Sequence, residues 1–192
     1  PLATLLLTPL CGFVLAASLF ALPLAASSML QQLFNSADVA VVGKFTGKQA
    51  LAAVGSNGPV INLLVNLFVG MSIGANVVIA RYIGSGNEKK ANDTAHTAVL
   101  LSLICGFVIM TLGLILSPLI LNLIGTPDDV IGLAVIYLRI YFCGMPFMML
   151  YNFCAAIFRS KGDTKKPLIY LFISGIINVI LNLFFVIVFS MG

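Results

Sequence analysis

The chain has 192 residues, 60% of them hydrophobic and 8% charged, with ten Lys and Arg against six Asp and Glu for a net charge of +4. Soluble domains carry roughly a quarter charged residues, so a mean hydropathy of +1.13 excludes a water-soluble fold and leaves lipid as the main solvent. The excess of basic residues therefore marks a cytoplasmic membrane face rather than a nucleic-acid surface.

Five apolar stretches follow one another, at about 13–42, 52–80, 95–123, 131–158 and 167–190. They predict an all-α polytopic membrane protein with no soluble domain, because a run of about 20 apolar residues spans a bilayer. The apolar run from Leu2 to Phe34 is too long for the core of a cleaved signal peptide. The chain opens on Pro1 and stops at Gly192 directly after an apolar segment, so it reads as a fragment cut at both ends.

The first stretch contains Asp38, the one acidic residue inside an apolar span. An ionised Asp near a helix centre costs roughly 2.5–3.5 kcal/mol to insert, which makes an intramembrane carboxylate a functional candidate by default. Gln31, Asn35 and Asp38 are spaced i, i+4, i+7 and share one helical face, which should look into the protein. Pro23 removes a backbone hydrogen bond in the same helix and marks a place where it bends.

The second stretch holds Gly70 and Gly74 as a GxxxG pair, expected to allow close helix packing. Asn57, Asn62, Asn66 and Asn76 add polar groups, and Asn62 and Asn66 share a face that either lines a cavity or bonds across helices. The third and fourth stretches carry Pro118 and Pro146 as further bending points. Arg139 lies about eight residues into the fourth, roughly 12 Å deep, where it either snorkels outward or pairs inside the bundle. In the fifth, Ser174, Asn178 and Asn182 form a second polar stripe at i, i+4, i+8.

The connections decide orientation. Seven of the ten basic residues fall in the second (Arg81, Lys89, Lys90) and fourth (Arg159, Lys161, Lys165, Lys166), against two in the first and none in the third. Positive loops stay inside, so the amino terminus is expected in the cytoplasm and Gly192 outside. At this orientation Asp38 and the Asn178–Asn182 stripe reach similar depths. One carboxylate with several neutral oxygens suits a proton or a sodium ion, since hard cations take oxygen ligands; interhelical hydrogen bonding is the plainer reading of the asparagines.

Enzyme chemistry lacks its residues. His96 is the lone histidine, there is no HExxH, intramembrane Asp pair or GxxxxGK[ST] segment, and Cys11, Cys105, Cys143 and Cys154 sit singly in apolar runs. No metal site, cofactor or catalytic residue is expected.

Several segments carry a resemblance. ALPLAASSMLQQLFNSADVAVVG at 21–43 resembles the first helix of the multidrug and toxic compound extrusion (MATE) transporters, and ALAAVGSNGP at 50–59 is similar to the start of their second. IARYIGSGNEKKA at 79–91, FRSKGDTKKPL at 158–168 and IINVILNLFF at 176–185 resemble their cytoplasmic loops and fifth helix. The resemblance implies helices one to five of a six-helix amino-terminal lobe within a twelve-helix protein, its partner being the second lobe of the same chain. It also implies export of cationic or amphipathic drugs across the plasma membrane in exchange for protons or sodium ions.

By the same resemblance Asp38 and Asn178 match the family's first-lobe cation site, and Pro23 matches a proline whose bend is linked to cation binding. Asn182 stands where many members carry a second aspartate, so this site has one carboxylate instead of two. Gln31, Asn35, Asn62, Asn66 and Ser174 are the candidates for lining a cavity. A lipid-linked precursor flippase of related fold is the alternative, although it would want more intramembrane basic groups than Arg139.

Overall fold

A computed structural model describes the backbone of residues 2–45 and 48–188, and the side chains of 15, 18, 19, 21–41, 43, 44 and 48–185. Cys11, Gly47 and residues 189–190 of the expected fifth span lie outside the described side chains. Six α-helices are formed by the described residues: α1 (Leu2–Phe45), α2 (Lys48–Gly84), α3 (Glu88–Leu123), α4 (Ile131–Cys143), α5 (Met145–Ser160) and α6 (Lys165–Val188).

Helices are what lipid demands, because a backbone N–H or C=O without an internal partner has no water to turn to. Buried serines obey the same constraint: Ser72 and Ser102 each return their hydroxyl to a carbonyl three residues back, Val69 at 2.8 Å and Val99 at 2.7 Å. Leu15, Leu22, Leu63, Leu123 and Phe147 are all more than 60% exposed, a surface stable only against acyl chains. The result is a multi-pass membrane protein.

Three helices are long and apolar enough to cross a bilayer: α2, α3 and Lys165–Phe185 of α6. The pair α4–α5 makes a fourth if taken as one bent span. The sequence suggests five, and this larger number is not reached among the described residues; the side chains at the head of α1 lie outside them. The expected single helix over 131–158 is corrected to two, bent by 45°. Pro146 in the first turn of α5 has no N–H to continue the ladder, so the break falls at Gly144.

Glycine lets this bend nest against α3. A Cβ on Gly106 would sit 2.6 Å from Cα of Pro146, and one on Gly113 would overlap the Phe142 ring. The close approaches are thus made by α3, whereas a Cβ on Gly70 or Gly74 would meet nothing. The GxxxG pair in α2, expected to be a packing face, is exposed.

Three connections end their helices with one device. Gly86, Gly125 and Gly162 take φ of 72°, 76° and 80°, and the residue after each donates its N–H five residues back, as Asn87 does to Tyr82 at 3.0 Å. This paired closure satisfies carbonyls that a helix end leaves open. Asn87 then caps α3 by accepting the Lys90 N–H at 3.1 Å.

Pro118 does not break α3, and the reason lies on α4. A proline leaves the carbonyl four residues earlier without its donor, here that of Leu114, and Arg139 Nε donates to that oxygen at 3.2 Å. Arg139 thus pairs with a neighbouring helix while its side chain stays exposed. Arg139→Leu is expected to lower stability by about 0.6–1.7 kcal/mol, the span measured for interhelical hydrogen bonds in membranes. Pro118→Ala restores the N–H within α3 and should recover most of that loss. Thermal melts of the two single variants and the double variant in detergent check it; additive losses would break the link.

The core lies where α2, α3, α4 and α5 meet, around the fully buried Phe68, Leu138, Met145 and Met149. α1 packs chiefly along α6. This second seam carries the candidate site.

Candidate cation site

Asp38 sits in the last two turns of α1, half-buried against α6. Its Oδ1 accepts a hydrogen bond from Asn182 Nδ2 at 2.8 Å, across 144 residues of chain. One to two helical turns away from the pair, the Phe34 ring occupies the space that a Cβ on Gly175 would take. Absence of a side chain at Gly175 thus lets α1 and α6 approach closely enough for the Asp38–Asn182 contact.

The two polar stripes therefore meet, but through one residue from each. Asn178, a turn before Asn182, is exposed, as are Ser174 on α6 and Asn35 on α1. Asn62 and Asn66 share an exposed face of α2. Gln31 is exposed and lines a cavity of about 270 Å³ between α1, α2, α5 and the start of α6. Pro23 lies within α1, which continues as one helix on either side, and its carbonyl accepts the Ser27 hydroxyl at 2.8 Å.

Two further groups stand out in the structure, Tyr137, which the sequence did not mark, and Asn57, which it marked only as one of four asparagines in α2. Tyr137 of α4 lies within electrostatic range of the Asp38 carboxylate. Asn57 of α2 is fully buried and donates to Ala53 O at 2.8 Å and Ala134 O at 3.1 Å, while its Oδ1 has no partner. A tyrosine in an apolar helix and an asparagine among four in α2 carry no pattern that separates them from packing residues. Only the packing of α4 against α2 and α3 sets them apart.

No group of three His, Cys, Asp or Glu is close enough to hold a transition metal among the described residues. Asp38 and the side-chain oxygen of Asn182 are hard oxygen donors, the ligand type that hard cations take.

The MatE family model matches residues 23–184. The chain belongs to the MatE family. Among curated relatives, this MatE chain is 35% identical over 164 residues to the probable multidrug resistance protein YoeA of Bacillus subtilis, a match covering 85% of the chain and 35% of YoeA. It is 30% identical over 149 residues to the FAD transporter of Shewanella oneidensis, covering 78% of the chain and 33% of that protein.

Crystal structures of MATE in bent and straight conformations are 27% identical to it, with TM-scores of 0.86 and 0.84, covering 92% of the chain and 39% of theirs. The chain thus spans about a third of the length of the curated relatives it matches. The MatE family is one of transporters, not an enzyme class.

Proposed function

We propose that this chain is the part of a secondary active efflux transporter that carries a coupling-ion site, exporting cationic or amphipathic compounds across the cell membrane against protons or sodium ions. The observation that carries the reading is the Asp38–Asn182 contact: an intramembrane carboxylate, bonded across helices to the residue that stands in for a second acid. Asn178 lies a turn away on α6 and joins the pair when α6 rotates. Pro23 supplies the flexible point in α1 below it.

The chain then crosses the membrane five times, the bent α4–α5 pair forming one span and α1 another, with the amino terminus in the cytoplasm. Basic residues support this orientation, since the α2–α3 and α5–α6 connections share one end of the bundle, where Glu88, Lys89 and Lys161 border a common cavity. The rest of the transporter supplies the second lobe.

Binding of ion and substrate to alternative conformations is enough to couple them, provided each binds the two states with different affinity. The test is dye movement in vesicles carrying the full-length protein, with proton and sodium gradients imposed separately. Efflux driven by one gradient names the ion. Flavin adenine dinucleotide belongs in the substrate panel beside ethidium, given the relative that transports it. If neither gradient moves any substrate and the protein instead rescues a flippase-deficient strain, the lipid-linked precursor reading replaces this one.

A further inference from the structure

The cavity that Gln31 lines lies at the basic end of the bundle, cytoplasmic in the orientation proposed above, since Arg159 and Thr164 on either side of the α5–α6 connection also border it. Its polar groups include Ser27, Ser28, Gln31, Asn76, Asn152 and Arg159, and its walls include the apolar side chains of Val69, Ile73 and Pro167. No acidic residue lines it. Arg159 is half-buried there. Its Nε donates to Ala155 O at 3.1 Å, which leaves both terminal guanidinium nitrogens for another acceptor.

Among the described residues the nearby carboxylate is already engaged: Asp163 pairs with Lys166 Nζ at 2.9 Å and accepts the Lys166 backbone N–H at 3.1 Å. Those two bonds hold the Asp163 carboxyl below its ordinary range, so it stays ionised and committed to Lys166. Arg159 is thus a partly desolvated cation without a counter-ion, and such a group gains most from an oxyanion that accepts two parallel N–H bonds. A cation-binding role for the cavity is disfavoured by the same charge. Exposed Lys161 and Lys165 lie on the same α5–α6 connection and add to the basic character of this end of the bundle.

We propose that this cavity binds the phosphate of an anionic phospholipid from the cytoplasmic leaflet, with Arg159 as its main ligand. The depth favours a lipid as the source. Arg159 ends a membrane helix at the level of the headgroups, and the mixture of amide donors with an apolar wall matches a headgroup that continues into an acyl chain. Basic pockets between helices on the cytoplasmic side take lipid headgroups by this combination. The site is separate from Asp38 and does not depend on which ion drives transport.

Lipid titration of the delipidated full-length protein, followed by native mass spectrometry, tests it with phosphatidylglycerol, phosphatidylcholine and inorganic phosphate as probes. The wild type should bind phosphatidylglycerol more tightly than phosphatidylcholine. Arg159→Gln should weaken phosphatidylglycerol by about fivefold or more, the factor one basic residue contributes at an anionic surface, and Arg159→Lys should retain part of the preference. Equal binding of the two lipids by the wild type overturns the proposal, and so does an undiminished preference in folded Arg159→Gln. Saturation by inorganic phosphate with no competition from phosphatidylglycerol would assign the cavity to a free anion and overturn it as well. The wild-type comparison decides the matter even if Arg159→Gln fails to fold.

Discussion

Asp38→Asn is expected to reduce ion-driven efflux to the level of empty vesicles while the protein stays inserted and folded. The substitution removes the charge and the titratable proton but keeps an oxygen at the same place, so the Asn182 amide can still donate its 2.8 Å bond. Loss of stability should therefore remain within about 1 kcal/mol, the scale of one interhelical hydrogen bond in a membrane. Function should fall far more, because an amide neither exchanges a proton nor supplies the negative charge that offsets a cation's desolvation. Efflux and a detergent melt, measured on the same preparation, separate the two effects. Unchanged efflux in the variant would remove Asp38 from the mechanism.

Gly175→Val should damage the protein by a different route. The new side chain would enter the volume of the Phe34 ring, and overpacking of this kind costs about 1–3 kcal/mol in a well-packed interior. Because Phe34 precedes Asp38 by one turn, the expected response is a separation of α1 from α6 that breaks the Asp38–Asn182 contact. A lowered melting temperature should accompany loss of ion-driven efflux, and Phe34→Ala in the same chain should recover stability by vacating the space. If Gly175→Val melts like the wild type, the α1–α6 seam is softer than the packing indicates.

The two variants distinguish chemistry from geometry at one site. Asp38→Asn leaves the seam intact and removes the charge, whereas Gly175→Val leaves the charge and opens the seam. A transporter that tolerates the second but not the first would need the carboxylate without the Asn182 contact. In that case Tyr137, within electrostatic range of Asp38, is the next group to test.

Much of the architecture is legible along the chain because lipid imposes a simple rule: long apolar runs must be helices, and basic connections mark one side. Asp38 stands out for the same reason, as the one carboxylate inside an apolar span. The i, i+4 spacing of Asn178 and Asn182 also shows that α6 carries a polar stripe, and the glycines at 86, 125 and 162 stand at helix ends. These features depend on nearest neighbours and on the solvent, both of which a sequence contains.

Tertiary structure decided the remainder, since it depends on which surfaces meet. It made Asn182 the partner of Asp38 and left Asn178 exposed, a choice between residues one turn apart that rests on the rotation of α6 against Phe34. It placed the tight glycine contacts on α3 and α6 and left the GxxxG pair open, because the bulky groups that need space are Phe142, Pro146 and Phe34. It explained a deep arginine by a proline on another helix, and it gathered Arg159 into a cavity without a counter-charge. Spacing within one helix determines which residues share a face; only packing between helices determines what that face touches.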